Sequence, residues 1–81
     1  MNVKDIKNLA TTHSHAELEA FIEQHLEEGT NPCFVGEDDE DTLNVLSKAS
    51  YIKKQLEDGT VQNIKEAIRK MAAEIRAVQQ V

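Results

Sequence analysis

Apolar residues recur at Val61, Ile64, Ile68, Met71, Ile75 and Val78, in steps of three and four kept for more than two heptads. Only a helix brings that spacing onto one stripe, because a strand repeats every second residue. A second run precedes it: Val45, Ala49, Ile52 and Leu56, with Leu43 and Leu46 alongside. Between the runs lies Glu57-Asp58-Gly59-Thr60, a glycine that ends one helix and a threonine that can begin the next. The spacing predicts helices over about residues 40–57 and 61–79, paired as a C-terminal antiparallel hairpin with Gly59 and Thr60 as caps.

The first half of the chain carries the same punctuation. Asn2 can cap a short helix over about 3–11, with Val3, Ile6 and Leu9 on one face. Ser14-His15-Ala16-Glu17 is a capping box, in which the hydroxyl takes the Glu17 amide and the carboxylate reaches back. Leu18, Phe21, Ile22, His25 and Leu26 follow at helical spacing, and Gly29 closes a helix over about 15–28. Residues 30–41 read as a loop whose apolar middle, Cys33-Phe34-Val35, folds back over the helices. Its acidic end supplies a cap for the third helix from Asp38 or Asp39. The expectation is a single all-α domain over residues 1–81, built of four helices. One proline and three glycines fit no turn-rich β protein. Two Phe and one Tyr are the only aromatics, so the core must be aliphatic.

Charge narrows the function classes. The formal net charge is −6. Glu17, Glu19, Glu23, Glu27, Glu28, Glu37, Asp38, Asp39, Glu40 and Asp41 fall in a stretch from Asn8 to Ser47 that has no Lys or Arg. Such a chain repels phosphate, so nucleic acid is not an expected partner. Met-Asn-Val-Lys-Asp has no apolar signal region, and no run approaches the ~18–20 residues of a membrane span. The one cysteine forms no internal disulfide. These readings lead us to expect a cytoplasmic protein without a membrane partner.

Candidate chemistry is thin. His13, His15, His25 and Cys33 are the side chains a zinc or nickel site would use, but their spacing matches no familiar ligand pattern, and no metal or other cofactor is expected. His13 and His15 read as solvated and His25 as a half-buried face residue. Cys33 lacks an electropositive setting that would make it a nucleophile, and it reads as an apolar side chain packed on the core. The acids from Glu37 to Asp41 do not follow the alternating ligands and central glycine of a calcium loop. There is no glycine-rich phosphate loop and no paired base and nucleophile, so no catalytic residue is assigned.

Two charged stripes remain. Glu19, Glu23 and Glu27 fall at four-residue steps on the second helix. Lys65, Arg69 and Arg76 lie within about 40° of one another on the last. They are the expected interaction residues. The apolar arc of the last helix, roughly 140° wide, exceeds what the short first helix and sparse second helix offer to cover it, so a homodimer is expected.

Asp41-Thr42-Leu43 resembles the Asp-Ser-Leu motif of acyl carrier proteins, also acidic four-helix domains of about this size. In that family the serine carries a phosphopantetheine arm, and here the position is Thr42. That resemblance implies a carrier-like role as the alternative. A second resemblance rests on Glu27 to Cys33 (Glu-Glu-Gly-x-Asn-Pro-Cys), Asn44-Val45-Leu46-Ser47-Lys48-Ala49, Ala67-Ile68-Arg69 and Arg76-Ala77-Val78-Gln79. In these stretches the chain resembles a family of short bacterial proteins with no assigned function, which implies no mechanism. The leading expectation is a small, acidic, non-enzymatic protein-interaction module. A metal- or thiol-dependent accessory protein and a helical DNA-binding regulator, the latter using Lys65, Arg69, Lys70 and Arg76, are its rivals.

Overall fold

The computed structural model describes residues 3–33 and 35–79, with side chains through residue 74. Four helices follow one another: α1 (Val3–Thr12), α2 (His15–Glu28), α3 (Asp39–Asp58) and α4 (Ile64–Gln79). There is no strand among the described residues. The expected cap Asn2, and the side chains of Ile75, Arg76 and Val78, lie outside the described residues.

Each boundary has a local cause. α2 opens on the expected capping box: Glu17 N donates to Ser14 Oγ at 3.1 Å, and Ser14 N donates to Glu17 Oε1 at 3.1 Å. Gly29 ends it in the left-handed conformation, with φ 77° and its N–H on the His25 carbonyl. Asp38, rather than Asp39, caps α3 and takes the Asp41 amide at 2.8 Å. Asp41 in turn accepts from Glu37 N at 3.0 Å, so much of the acidic run is occupied with its own helix start. At the far end Gly59 has φ 76°, and Thr60 N donates back to the Gln55 carbonyl at 3.0 Å.

The start of α4 corrects the sequence reading. Its cap is Asn63, whose Oδ1 accepts from Glu66 N at 2.9 Å, not Thr60. Val61 therefore lies in the link, yet it is buried. A side chain just ahead of a helix can fill the core as well as one inside it, and the heptad spacing does not separate the two.

α3 is the middle of the molecule. α1, α2 and α4 each pack on it. Its buried residues Thr42, Val45, Leu46, Ala49, Ser50, Ile52 and Gln55 span about 220° of the helical wheel. A helix packed on one side would bury a far narrower arc. Ile6, Leu9 and Ala10 from α1 and Leu18 from α2 meet this helix, with Ala67 and Met71 from α4. Ile64 and Ile68 are half-buried at the edge, so Ala67, with no exposure, marks the deep line of α4 rather than Ile68. Its small side chain lets the two helices approach. Cys33 and Val35 pack against the core as expected, and Phe34 is outside the described residues.

The loop is held at Gly36. Its φ of 83° suits glycine, and a Cβ there would sit 2.6 Å from the Thr42 amide nitrogen. The Thr42 hydroxyl donates to the Val35 carbonyl at 2.6 Å. Loop and helix start are thus in backbone contact, and only a hydrogen atom fits between them.

Candidate functional site

α2 carries His15 and His25, with His13 just ahead of it, and the structure gives each a different setting. His13, just before the helix, lies 3.6 Å from Glu17 and stands edge-on to the Phe21 ring, with centroids 5.0 Å apart. It is half-buried rather than solvated. The Glu17 carboxyl is held below the usual carboxylate range, chiefly by the Ser14 amide and then by His13.

His15 reaches across to the middle of α3. Its Nδ1 lies 3.2 Å from the Ser50 carbonyl and 3.0 Å from Ser50 Oγ. The Ser50 hydroxyl donates to Glu19 Oε1 at 2.5 Å. A carbonyl only accepts, so His15 Nδ1 carries a proton; the hydroxyl proton is committed to Glu19. His15 N also donates to Glu57 Oε2 at 2.9 Å. Serine, histidine and carboxylate therefore meet, but not in the order nucleophilic catalysis needs. There the imidazole accepts the hydroxyl proton, whereas here it donates to the hydroxyl oxygen. Ser50 is also only 2% exposed. The cluster is a polar pin between two helices, at the floor of an open groove of about 400 Å³ that Ile22, Tyr51 and Lys54 also line.

His25 is buried, deeper than the half-buried residue expected. Its Nε2 lies 3.0 Å from Asp39 Oδ1 and its Nδ1 3.0 Å from Asn31 Nδ2. Asn31 Oδ1 accepts from Cys33 N at 2.8 Å. The end of α2, the loop and the first turn of α3 are joined through this one ring. Cys33 is half-buried, less enclosed than a core residue, and burial pushes its thiol above the usual range. With His13 and Asp5 it lines a cavity of about 270 Å³ beside α1.

Of the four metal candidates only His13 and Cys33 share a cavity, and each histidine has a different hydrogen-bond or ion-pair partner. Among the described residues no three His, Cys, Asp or Glu side chains gather as ligands. Thr42, the position that resembles the carrier serine, has its hydroxyl turned inward onto the Val35 carbonyl and is 6% exposed.

The charged stripes are only partly as expected. Glu23 and Glu27 are exposed on α2, with the large apolar side chain of Leu26 beside them at 67% exposure. Glu19 leaves the stripe in function, since Ser50 holds its carboxylate. On α4 Lys65 and Arg69 are exposed and make no ion pair among the described residues. Asn31, Ser50 and Glu57 were given no site role by the sequence, and Asp39 only that of a possible helix cap. Of the first three only Asn31 had a local signal, an Asn-Pro pair just beyond the Gly29 cap.

The chain matches no known family, no curated protein and no solved structure, so its own geometry is the guide to its function.

Proposed function

We propose that the protein is a small non-enzymatic interaction module that binds a second copy of itself, or another protein, through charged helix faces. One observation carries this reading: Glu23 and Glu27 flank an exposed leucine on α2, while Lys65 and Arg69 stand free of ion pairs on α4 among the described residues. Like charges four residues apart weaken a helix by ~0.2–0.5 kcal/mol per pair. An opposite charge on a partner relieves that cost and acts mainly on encounter rate and partner choice. In a two-fold homodimer each acidic stripe meets the basic stripe of the other copy, and both contacts repeat. The last two helices, which pack on one another, are the antiparallel hairpin in this reading. The cytoplasm is its location, for which the single cysteine is support.

Neither nucleic acid nor membrane is a partner in this proposal. A net charge of −6 disfavours the first, and no helix among the described residues is long and apolar enough to cross the second. The carrier alternative has less support, because it needs an outward hydroxyl at Thr42.

Affinity capture with the parent and with Glu23→Lys/Glu27→Lys, each at low salt and at about 0.5 M salt, tests the reading. A protein retained by the parent at low salt, lost to the variant and weakened by salt is the expected result. Retention that ignores both the reversal and the salt contradicts it.

A further inference from the structure

Asn31 sits between His25 and the backbone of Cys33, and its orientation is fixed. An amide N–H only donates, so the atom 2.8 Å from Cys33 N is Asn31 Oδ1. Asn31 Nδ2 therefore faces His25 Nδ1 at 3.0 Å. Nδ2 has only protons to offer, so Nδ1 accepts and carries none. The ring proton is on Nε2 and is donated to Asp39 Oδ1 at 3.0 Å. His25 is held as the neutral Nε2–H tautomer.

We propose that His25 is a proton-operated latch on the loop that carries Cys33: a proton added at Nδ1 turns Asn31 over and frees the loop from the end of α2. A proton on Nδ1 would point at the amide protons of Asn31. Rotating the amide offers Oδ1 to the ring but turns Nδ2 toward Cys33 N–H, where two donors again face each other. The mismatch is moved to the loop backbone and not removed. Leaving a donor without an acceptor costs ground that a short loop regains most easily by letting go.

Few groups face the ring. From α3 comes Asp39, which favours the charged imidazolium; its side chain is 82% exposed, so water weakens that pull. From the loop comes Asn31, uncharged, which favours the neutral ring. On α2 itself the Glu28 carboxylate accepts from Gln24 Nε2 at 3.4 Å rather than from the ring. Among the described residues the ring has no other hydrogen-bond or ion-pair partner. Asp39, which already accepts the Nε2 proton, favours the added charge, whereas Asn31 faces the added Nδ1 proton with its own donor, so the imidazolium forms with Asn31 turned over. Imidazole is the side chain whose charge ordinarily changes within the physiological range. What the latch controls is the Cys33 segment that closes one side of the cavity beside His13.

Nitrogen-15 NMR of the full chain tests the latch. At pH about 7.5 the His25 ring shifts should report the Nε2–H tautomer. On lowering the pH to about 5, the ring, the Asn31 side-chain amide and the Cys33 backbone amide should titrate on one curve. Asn31→Asp presents an acceptor to both neighbours, so its ring should still titrate while the Cys33 amide no longer follows. His25→Gln should remove the transition from the Cys33 amide altogether. An Nδ1–H tautomer at the higher pH overturns the proposal. So does a parent Cys33 amide that stays still while the ring titrates, a readout that holds even if a variant fails to fold. An Asn31→Asp protein that tracks the parent also overturns it.

Discussion

The Ser50 hydroxyl, from the middle of α3, donates its proton to Glu19 in the second turn of α2 across 2.5 Å. The two residues are 31 apart in sequence, and their bond turns a buried polar position of α3 into a tie between the two helices. Hydrogen bonds to charged groups contribute ~1.5–3 kcal/mol, and the half-exposed Glu19 puts this one toward the lower end. Ser50→Ala should lower unfolding free energy by about 1–2 kcal/mol. A double-mutant cycle with Glu19→Gln, read by urea denaturation, should return a coupling of at least about half that. Additive single effects would show that the bond contributes nothing.

Ile52 and Ile68 should part company. Ile52 is fully buried in α3, and Ile52→Ala should cost ~2–5 kcal/mol, a large share of the stability of a domain this small. Ile68 is only half-buried at the edge of the core, so Ile68→Ala should cost clearly less, about 1–2 kcal/mol. Thermal and urea unfolding of the two variants give the comparison. Equal losses would mean that α4 turns Ile68, not Ala67, toward α3.

Gly36 and Gly59 share a positive φ but not a neighbourhood. A Cβ at Gly59 meets nothing within 4 Å, so Gly59→Ala should show only the backbone penalty of ~1–2 kcal/mol. At Gly36 the same Cβ meets Thr42 backbone atoms at 2.6 and 2.7 Å, and backbone cannot rotate away as a side chain can. Gly36→Ala should be the more destabilising of the two in denaturant unfolding. The reverse order would show that the loop does not press on the start of α3.

Glu17 gives a pH dependence with a defined sign. Its folded-state carboxyl lies below the usual range, held there chiefly by the Ser14 amide. The unfolded chain therefore binds the proton more readily. The contribution is present above the ordinary carboxyl value and is lost as pH falls through the lowered folded value. Glu17→Gln keeps an acceptor for the Ser14 amide but cannot titrate. Its stability should fall less steeply in acid than the parent's, as measured by thermal unfolding across that interval.

What the sequence made legible was local. Ser14 and Glu17, Gly29, Asp38 and Gly59 all act within a few residues, so their caps could be read from adjacent letters. The heptad of the C-terminal half placed α4 but set its start three residues early, because Val61 continues the spacing while Asn63 holds the cap. Burial of Thr42, Ser50 and Gln55 was not legible, since a polar letter on a helix reads as outward unless its partner is known. Those partners are supplied by tertiary contact: Ser50 meets His15 from 35 residues away. For the same reason the separate settings of His13, His15 and His25 were not legible: each is drawn to a different neighbour. Tyr51 is a further case: its hydroxyl donates to Glu74 on α4, and that carboxylate holds the phenol above its usual range.

If the charged faces recognise a partner, a second copy of the chain is the first to look for. Light scattering at low and at about 0.5 M salt, on the parent and on Lys65→Glu/Arg69→Glu, reads that association as a mass. At tens of micromolar the parent should show twice the chain mass at low salt and a lower mass at high salt, and the variant a single-chain mass at both. A parent that stays at the single-chain mass throughout, or a variant that associates as the parent does at both salt levels, would contradict it.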